Sequence, residues 1–518
     1  GNNITTTTDN SVFLGSNTSY MANGTITRGN TNYATETISG TTYGFNGGHN
    51  NTVGVVSIGN ATTTRRLQGL ATGLISEYST DAINGAQLYS VISNLSGTKY
   101  FGVNSTVTGN LRGEGARGFE SIAIGPEANT TGSHSVSLGA GAKASANNSI
   151  SIGANSNATG FDSVAIGLTA NATGKNSIAV GYSKADSDGA IAIGSLANAT
   201  GQNTIATGNG ANAIGNWSIA SGVGANTTGI NATAIGTLAN ATSESSIAFG
   251  QNAVAGNDYT TSTNATAIGT RANASGMSSI AIGERAKTES GFGRNAVAIG
   301  TWAQSNALNA IAIGKSALAN ANNATVIGVE AEVSGGAGTD SVAVGYRANA
   351  SADAVAIGSR AKAGGYVGSG NVSWRQSTAV GYESNASGRG ATALGAGAKA
   401  EEYSLAIGMQ SNASNTYSMA LGVSAKASEN YSMAIGYSSN ASGLNSIAIG
   451  LGAGAHGNQS ISIGYVNQVY GNHSGAIGDP SIVNATNSYS VGNNNNLAAG
   501  QNGVFAFGNN ITTTTDNS

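Results

Sequence analysis

Short runs that alternate apolar and small residues recur along most of this chain, and each run ends in glycine. One run is Ser163-Val164-Ala165-Ile166-Gly167, and the same pattern returns at residues 177–181. Between Gly125 and Gly508 there are 27 such runs, and 18 of the 26 intervals between their closing glycines are 14 residues long. A fixed period of this kind indicates a repeat protein in which each unit stacks on its neighbours.

Each repeat contains two short segments with the alternation of a β-strand. In residues 163–176 these segments are 163–166 and 169–173, and each is followed by a glycine. Alternation predicts strands, and glycine supplies turn geometry that other residues resist. Stacked repeats then form parallel ladders about 4.8 Å apart. The pattern therefore predicts an all-β parallel β-roll, a solenoid built from rungs of about 14 residues.

Side-chain direction should separate an interior of small residues from an apolar exterior. The inward set in this repeat is Ser163, Ala165, Ala170 and Ala172. The outward set is Val164 and Ile166 on the first segment, with Asn171 and Thr173 on the second. Across the 27 repeats the position of Ala165 holds Ala or Ser with one exception, Val326. Such a rule on side-chain size indicates a tightly wound coil with no interior room for larger groups.

The outward apolar positions should form a stripe along the roll. A stripe of 27 rungs would be about 130 Å long, and left in water it would cause aggregation. We therefore predict an obligate oligomer joined along this stripe, although the spacing does not give the number of chains. The residues predicted to form its core are Val164, Ile166, Ile178, Val180, Ile447 and Ile449.

Two neighbouring repeats interrupt the stripe, because Thr207 and Ser221 occupy the position of Ile166. Around an oligomer axis these residues would form two polar rings. The rings could hold water or an ion, or they could be a tolerated, locally hydrated weak point.

Residues 54–96 break the repeat pattern, and their charge is higher, with Arg65, Arg66, Glu77 and Asp81. Either Thr80 or Asp81 is expected to cap a helix. After them, Leu88, Ile92 and Leu95 follow at spacings of four and three residues, which is typical of a seam for partner helices.

The repeats and this segment together closely resemble the trimeric autotransporter adhesins, the family that includes the Yersinia adhesin. The string Asp81-Ala82-Ile83-Asn84-Gly85-Ala86-Gln87-Leu88 resembles the most recognisable part of the family's neck. Earlier in the same segment, Gly69 stands where the family's neck more often has Asn. Residues 99–105 resemble the segment that opens a head after a neck, and the rungs resemble the head's left-handed β-roll.

The resemblance implies a homotrimer on the bacterial cell surface. It implies a membrane contact only through an outer-membrane β-barrel anchor, which no part of this sequence resembles. The neck residues carried over by the match are Arg65, Asp81, Asn84 and Leu88.

The organisation predicted from the sequence is head, neck and head. Residues 1–53 are expected to end one roll, 54–96 to form the neck with a short coiled-coil helix, and 97–518 to form a second roll. Residues 1–11 are repeated as residues 508–518. Tandem copies in a longer parent protein explain this repetition better than a local sequence echo does.

Four insertions lengthen the second roll, near residues 251–263, 286–294, 330–339 and 359–376. Insertions leave a solenoid as loops. Those loops carry the candidate binding residues Tyr259, Tyr366, Trp374 and Arg375, which are types found at interface hot spots. The alternative is that these aromatic residues only pack over a neighbouring chain.

Composition removes several classes of function. Charged residues make up only 9% of the chain, the net charge is −3 and cysteine is absent. The sequence has no basic patch that would indicate nucleic-acid binding. Its four histidines are scattered, and their spacing does not match a zinc site. No recurring acidic pair indicates glycoside cleavage. We predict no enzyme, no cofactor and no metal site.

The sequence leaves several functions to compare. The first is an adhesion head that binds a host cell-surface or matrix protein, or other bacteria through self-association. The second is a structural spacer that displays other heads. An ice-binding solenoid and a polysaccharide-processing solenoid fit less well. Frequent Asn-x-Ser/Thr triplets, such as the one at Asn171, could accept glycans, or could simply suit a solvated outer strand.

Overall fold

A computed structural model of the chain describes residues 2–6, 8–23, 27, 31, 33–38, 41–44, 53–95, 114–256, 263–289, 294–334, 340–351, 353–364 and 376–518. The chain forms two units, Gly1–Thr106 and Val107–Ser518.

The first unit contains a piece of roll, a hairpin and a helix. Strands β1 (Val12–Phe13) and β4 (Val56–Ser57) pair in parallel, with Val12 opposite Val56. Between them, β2 (Thr35–Ile38) and β3 (Thr41–Gly44) form an antiparallel hairpin. Helix α1 spans Gly85–Leu95. The pairing of β4 with β1 carries the roll a few residues into the segment that the sequence assigned to the neck.

The second unit is a parallel β-solenoid of 27 rungs, numbered 1 to 27 in chain order. Each rung has a long strand of three residues, a closing glycine and a short strand of two residues. The long strands are Ile122–Ile124, Val136–Leu138, Ile150–Ile152, Val164–Ile166, Ile178–Val180, Ile191–Ile193, Ile205–Thr207, Ile219–Ser221, Thr233–Ile235, Ile247–Phe249, Thr266–Ile268, Ile280–Ile282, Val297–Ile299, Ile311–Ile313, Thr325–Ile327, Val342–Val344, Val355–Ile357, Thr378–Val380, Thr392–Leu394, Leu405–Ile407, Met419–Leu421, Met433–Ile435, Ile447–Ile449, Ile461–Ile463, Gly475–Ile477, Tyr489–Val491 and Phe505–Phe507.

The short strands follow a simple rule. Each consists of the fourth and fifth residues after the closing glycine, from Asn129–Thr130 in rung 1 to Thr512–Thr513 in rung 27. Rung 5 is the exception, because Lys184–Ala185 are the third and fourth residues after Gly181.

Equivalent residues of consecutive rungs pair in register. Val164 lies opposite Ile178 on the long strands, and Asn157 lies opposite Asn171 on the short strands. The Val164 N–H donates to the carbonyl of Ser177 at 2.9 Å. This one-repeat offset aligns every column of side chains along the solenoid, which confirms the predicted fold class.

The interior holds the small residues that the alternation predicted. Their side chains are fully buried at the four inward positions of rung 4, which are Ser163, Ala165, Ala170 and Ala172. The predicted outward residues of this rung remain half-buried or exposed, and Ile166 is 38% exposed.

Rungs 24 to 26 have a larger interior. Val469, Val483 and Leu497 replace alanine on their short strands and are fully buried. Asn495 is also buried there, and its side chain donates to the carbonyl of Gly508 at 2.7 Å and to the Ser490 hydroxyl at 3.0 Å. Hydrogen bonds to the next rung thus offset the desolvation of a buried amide.

Two turns complete each rung. The glycine corner is the turn from long to short strand, and the insertion corner is the turn from short strand to the next long strand. At the glycine corner Gly167 has φ 132°, and a Cβ there would lie 2.7 Å from the carbonyl oxygen of Gly181. Both the backbone angle and the close approach therefore require glycine at this position.

Candidate functional surfaces

The apolar stripe lies on the outer side of the long strands. All six residues predicted for the oligomer core lie in it, at equivalent positions of rungs 4, 5 and 23: Val164, Ile166, Ile178, Val180, Ile447 and Ile449. Five are half-buried and Ile166 is exposed. The rung's own core therefore leaves the stripe incompletely covered in a single chain, and the contact between chains stays a prediction.

The two polar interruptions of the stripe lie side by side. Thr207 pairs with Ser221 in the long-strand ladder, and Ile193 and Ile235 pair on either side of them. Both hydroxyl-bearing residues are half-buried. The structure brings them together, and their role stays a prediction.

Asn84 caps α1, and the prediction of Thr80 or Asp81 as the cap was wrong because the helix begins later, at Gly85. The Asn84 Oδ1 accepts the N–H of Gln87 at 3.0 Å, and the Gln87 Oε1 accepts the N–H of Asn84 at 3.2 Å. This reciprocal pair is a capping box with asparagine at its first position.

Gln87 and Asp81 also join the helix start to an earlier part of the neck. The Gln87 Oε1 accepts the N–H of Gly73 at 2.9 Å, and the Asp81 Oδ2 accepts the N–H of Leu74 at 2.8 Å. A Cβ on Gly73 would lie 2.5 Å from the Ala82 carbonyl oxygen, so glycine permits this approach. Sequence reasoning missed Gln87, although its position three residues after a capping residue was a usable signal.

Arg65 connects the neck to the roll of the first unit. Its Nη1 donates to the carbonyl of Ile58 and its Nη2 to the carbonyl of Ser16, both at 2.6 Å. Gly69 has φ 72°, in the left-handed region that Asn adopts more often than most other residues.

The predicted helical seam is exposed in the single chain. Leu88 is 55% exposed and Ile92 is 54% exposed, while the side chain of Leu95 lies outside the described residues. An apolar helix face left in water is consistent with the predicted partner helices.

The four candidate binding residues, Tyr259, Tyr366, Trp374 and Arg375, all lie outside the described residues. The structure does show where the four insertions, two of which carry these residues, leave the roll. The stretches 257–262, 290–293, 335–339 and 365–375 each begin seven residues after a closing glycine, following a short strand. All four insertions therefore leave at the insertion corner.

The insertion corner also presents a column of aromatic side chains. Tyr403, Tyr417 and Tyr431 precede the long strands of rungs 20 to 22 and have positive φ angles of 54°, 58° and 57°. Their rings stack at centroid distances of 5.1 and 5.2 Å. Bulky residues rarely adopt this conformation, so the column has a local strain that the stacking helps to offset.

Charged residues cluster instead at the glycine corner of rungs 15 to 18. Arg347 pairs with Glu330 at 2.6 Å, and Arg360 pairs with Glu383 at 3.0 Å. A hydrogen bond from Tyr382, reinforced by Arg360, lowers the pKa of Glu383 below its ordinary value. These groups are exposed to solvent, so their ion pairs contribute little to the stability of the roll.

The outer face of the short strands is polar and internally hydrogen-bonded. The amide groups of Asn198, Asn212, Asn226 and Asn240 form a ladder, and each donates to the next at 2.9 Å. Asn198 lies in an Asn-x-Thr triplet, and its Nδ2, the atom that a glycan would modify, is already a donor in this ladder.

The described ranges hold neither a metal-binding cluster nor a membrane-spanning helix. No group of three or more His, Asp or Glu is placed to bind a metal ion among the residues that the structure describes. In the same part of the chain, no helix has the length and apolar character needed to cross a membrane.

Repeated rungs with a small-residue core and a partly exposed apolar stripe define a parallel β-solenoid of stacked sequence repeats. The sequence pattern of the family described as YadA head domain repeat (2 copies) matches more than half of the chain, and the chain belongs to this family. The matched residues are 116–142, 131–156, 158–183, 185–211, 228–253, 241–262, 261–286, 293–317, 306–331, 337–361, 375–398, 401–425, 413–439, 427–453 and 441–467.

Membership makes the chain a passenger of the trimeric autotransporter adhesin type, as the resemblance indicated. YadA-like domains belong to outer-membrane autotransporter adhesins displayed on the cell surface, a family that implies homotrimers and is typically non-enzymatic.

Among solved structures, the C-terminal YadA-like domain of a Burkholderia pseudomallei protein is 27% identical to this chain, with a TM-score of 0.15. The similar region covers 21% of this chain and 54% of that one, so this chain spans about half of that structure's length. No curated protein matches this chain.

Proposed function

We propose that this chain is the binding head of a homotrimeric surface adhesin and attaches cells by non-catalytic, multivalent contact. The observation that carries the proposal is the pairing of a complete small-residue core with an uncovered apolar stripe. Each fully buried Val or Ile contributes about 1.5–3 kcal/mol, and a single chain leaves part of this contribution unrealised in every rung. Three chains joined along the stripe would recover it and would present each binding surface three times, which strengthens attachment through avidity.

The assembly is tested by light scattering on the purified chain, together with circular dichroism. The expected mass is that of three copies with sheet content intact. Ile449→Asp should weaken assembly strongly, because it puts a charge in the stripe. Asn440→Asp, on the outer face of the short strands, is the matched control and should leave the mass unchanged. A single copy that retains its sheet content would contradict the proposal.

We also propose that the longest insertion contacts the adhesion target, through Tyr366, Trp374 and Arg375, with Tyr259 in a second loop. The support is that all four insertions leave at one corner, the same corner that carries the exposed tyrosine column two rungs beyond the longest insertion. The target is a host cell-surface or matrix protein, or the same adhesin on another bacterium.

The experiment replaces residues 365–375 with two glycines, which restores the 14-residue spacing from Gly358. Attachment of cells or coated beads should fall several-fold, while Tm stays unchanged. The same replacement of residues 335–339, a loop without aromatic or charged residues, serves as the control. Trp374→Ala should reproduce the loss of attachment. A lowered Tm with retained attachment would show instead that the loop only packs on a neighbouring chain.

The second candidate is a structural spacer, favoured by the uniform asparagine ladder along the outer face. If the chain is a spacer, the isolated trimer should show only background attachment, both before and after either loop replacement. The spacer role also predicts that shortening the roll by whole rungs, in the full-length protein, reduces attachment mediated by other heads.

A further inference from the structure

Rung 5 contains a recess at the glycine corner, where its turn differs in length from those of the other rungs. Its short strand starts one residue early after Gly181, so the turn has lost one residue. In rungs 4 and 6 the missing position is held by Thr169 and Leu196, whose φ angles are 51° and 58°. The column of corner side chains therefore has a gap between these two residues.

The backbone at the gap shows how the loss is accommodated. In rung 6 the N–H of Leu196 donates to the carbonyl of Tyr182 in rung 5, at 2.6 Å. Rung 5 has no equivalent residue to donate to the carbonyl of Leu168. That carbonyl instead accepts the Thr169 hydroxyl at 2.8 Å. The Leu168 carbonyl, which lacks the usual backbone donor at the recess, is therefore still hydrogen-bonded.

The recess, which we call the notch, has a volume of about 430 Å³. It is lined by Thr169, Asn171, Tyr182, Lys184, Leu196 and Asn198, with Ser183 and Ala197. This volume lies in the range of small-molecule sites, which combine apolar walls with a few convergent polar groups. Tyr182 is 53% exposed and Leu196 is 58% exposed, so the apolar part of the wall is available to a ligand.

One polar atom of the notch lacks a partner. The Asn198 Nδ2 donates forward to Asn212 in rung 7, at 2.9 Å, so its Oδ1 faces back toward rung 5. In the ladder this oxygen would accept from an asparagine, but rung 5 has Lys184 at that position. The Asn198 Oδ1 is buried and has no hydrogen-bond partner. Because this oxygen is closed to solvent in the ligand-free chain, a ligand donor reaches it when the side chains that cover it move aside, and the oxygen then gains a hydrogen bond.

The charge of the notch is balanced. The Lys184 Nζ pairs with the Asp186 carboxylate at 2.5 Å, and the Asn171 Nδ2 also approaches that carboxylate at 3.4 Å. The rim therefore provides no unpaired charge to attract an ionic ligand, and a neutral ligand with hydroxyl donors fits it best.

We propose that the notch binds a neutral sugar unit of a glycan. The C–H face of the ring packs on Tyr182 and Leu196, and a hydroxyl donates to the Asn198 Oδ1. Aromatic side chains with a large apolar face suit this kind of contact. The proposal deepens the proposed adhesion role by naming a ligand class. It depends on the proposed assembly in one respect, which is that the face formed by the short strands must stay open to solvent when the chains join.

The test uses the assembled protein, after its mass has been confirmed by light scattering. Saturation-transfer NMR is recorded with methyl glycosides of neutral hexoses and N-acetylhexosamines at millimolar concentration. A glycan array with mammalian cell-surface glycans in one arm and bacterial polysaccharides in the other then identifies the source. We expect at least one neutral glycoside to show saturation transfer.

Three variants locate that binding. Tyr182→Ser and Asn198→Ala should each weaken it about tenfold, which corresponds to the loss of one aromatic contact or one hydrogen bond. Insertion of one glycine between Tyr182 and Ser183 restores the regular spacing, closes the gap and should abolish binding. Tyr437→Ser is the matched control, because Tyr437 holds the same position in a rung of regular length and is 59% exposed.

Two results would overturn the proposal: no glycoside shows saturation transfer with the assembled protein, or the signal persists in Tyr182→Ser and Asn198→Ala. If the glycine insertion does not fold, the two point variants still decide. Loss of glycan binding with normal cell attachment would leave the loop-mediated adhesion standing, so the two proposals fail separately.

Discussion

At the glycine corner, consecutive rungs approach so closely that a Cβ on Gly436 would lie 2.5 Å from the carbonyl oxygen of Gly450. At the insertion corner, by contrast, four stretches of extra residues leave the roll, and the left-handed position is held by many residue types, which are Asn, Asp, Ser, Trp, Tyr, His, Glu, Gln and Gly. The first corner repeats glycine in all 27 rungs of the second unit. The second varies in both length and residue type.

The difference shows where this fold can acquire function without losing its register. Register is fixed by the glycine corner and by the columns of buried small residues, in which alanine predominates and a larger side chain such as Val469 or Leu497 occurs in only a few rungs. Loops and aromatic residues accumulate at the other corner, where extra chain costs little entropy. The notch in rung 5 is a departure at the constrained corner, and it shortens the turn.

The largest effect is expected for Gly436→Ala. The residue has φ 129°, which an L-residue resists, and its new methyl group would meet the backbone of rung 23. We expect the apparent free energy of unfolding to fall by about 3 kcal/mol, the sum of backbone strain and overpacking. The measurement is denaturant unfolding at fixed protein concentration, because the assembly makes stability concentration-dependent.

Asn445→Ala is the control at the insertion corner, where φ is 54°. It should cost only about 1 kcal/mol, the penalty of a left-handed alanine. Equal losses in the two variants would show that the two corners are under the same constraint.

A smaller effect is expected for matched insertions in rung 20. Gly-Ser-Gly between Met409 and Gln410, at the glycine corner, should remove the 2.8 Å bond from the Gln410 N–H to the Ala396 carbonyl and the neighbouring turn bond of Ser411. At about 1 kcal/mol each, the loss is roughly 2 kcal/mol.

The same three residues between Ser414 and Asn415 enter where the natural insertions leave. The cost there should stay below about 1 kcal/mol, since only loop closure is affected. Thermal unfolding of both variants measures the difference. A larger loss at the insertion corner would reverse the comparison.

The sequence was sufficient for the rung and its register. The position of Ala165 holds only Ala, Ser or, once, Val326, which identifies it as the inward position. Because side chains alternate along a strand, Ile166 must then point outward. The helix cap was missed because Thr80, Asp81 and Asn84 are all good capping residues. Gln87, three residues after Asn84, favours Asn84 in the sequence itself, and the reciprocal hydrogen bonds show the same choice in the structure.

The shortened turn was not assigned from interval length, although the inward small residues carried the signal, since they stand third and fifth after most closing glycines and second and fourth after Gly181. The interval of 13 residues after Gly181 recurs after Gly345 and Gly395, and interval length does not tell which corner is shortened. The structure shows that only the first of these removes a residue from the glycine corner. The notch and the common exit of the four insertions both follow from this information.

The smallest effect is expected for Glu383→Gln, which tests whether the charged cluster helps to fix the glycine corner. The hydrogen bond from Tyr382 and the ion pair with Arg360 lower the pKa of Glu383 in the folded chain. A lowered folded pKa means that the ionised carboxylate stabilises the fold above its unfolded pKa, and that this contribution is lost as pH falls through the folded value. Glu383→Gln should therefore lower Tm slightly at pH 7 and not at all in strong acid. Glu402→Gln, at the insertion corner, is the control and should leave Tm unchanged at both pH values. Because Glu383 is exposed, a large drop in Tm at pH 7 would mean that this corner depends on its charges as well as on its glycine.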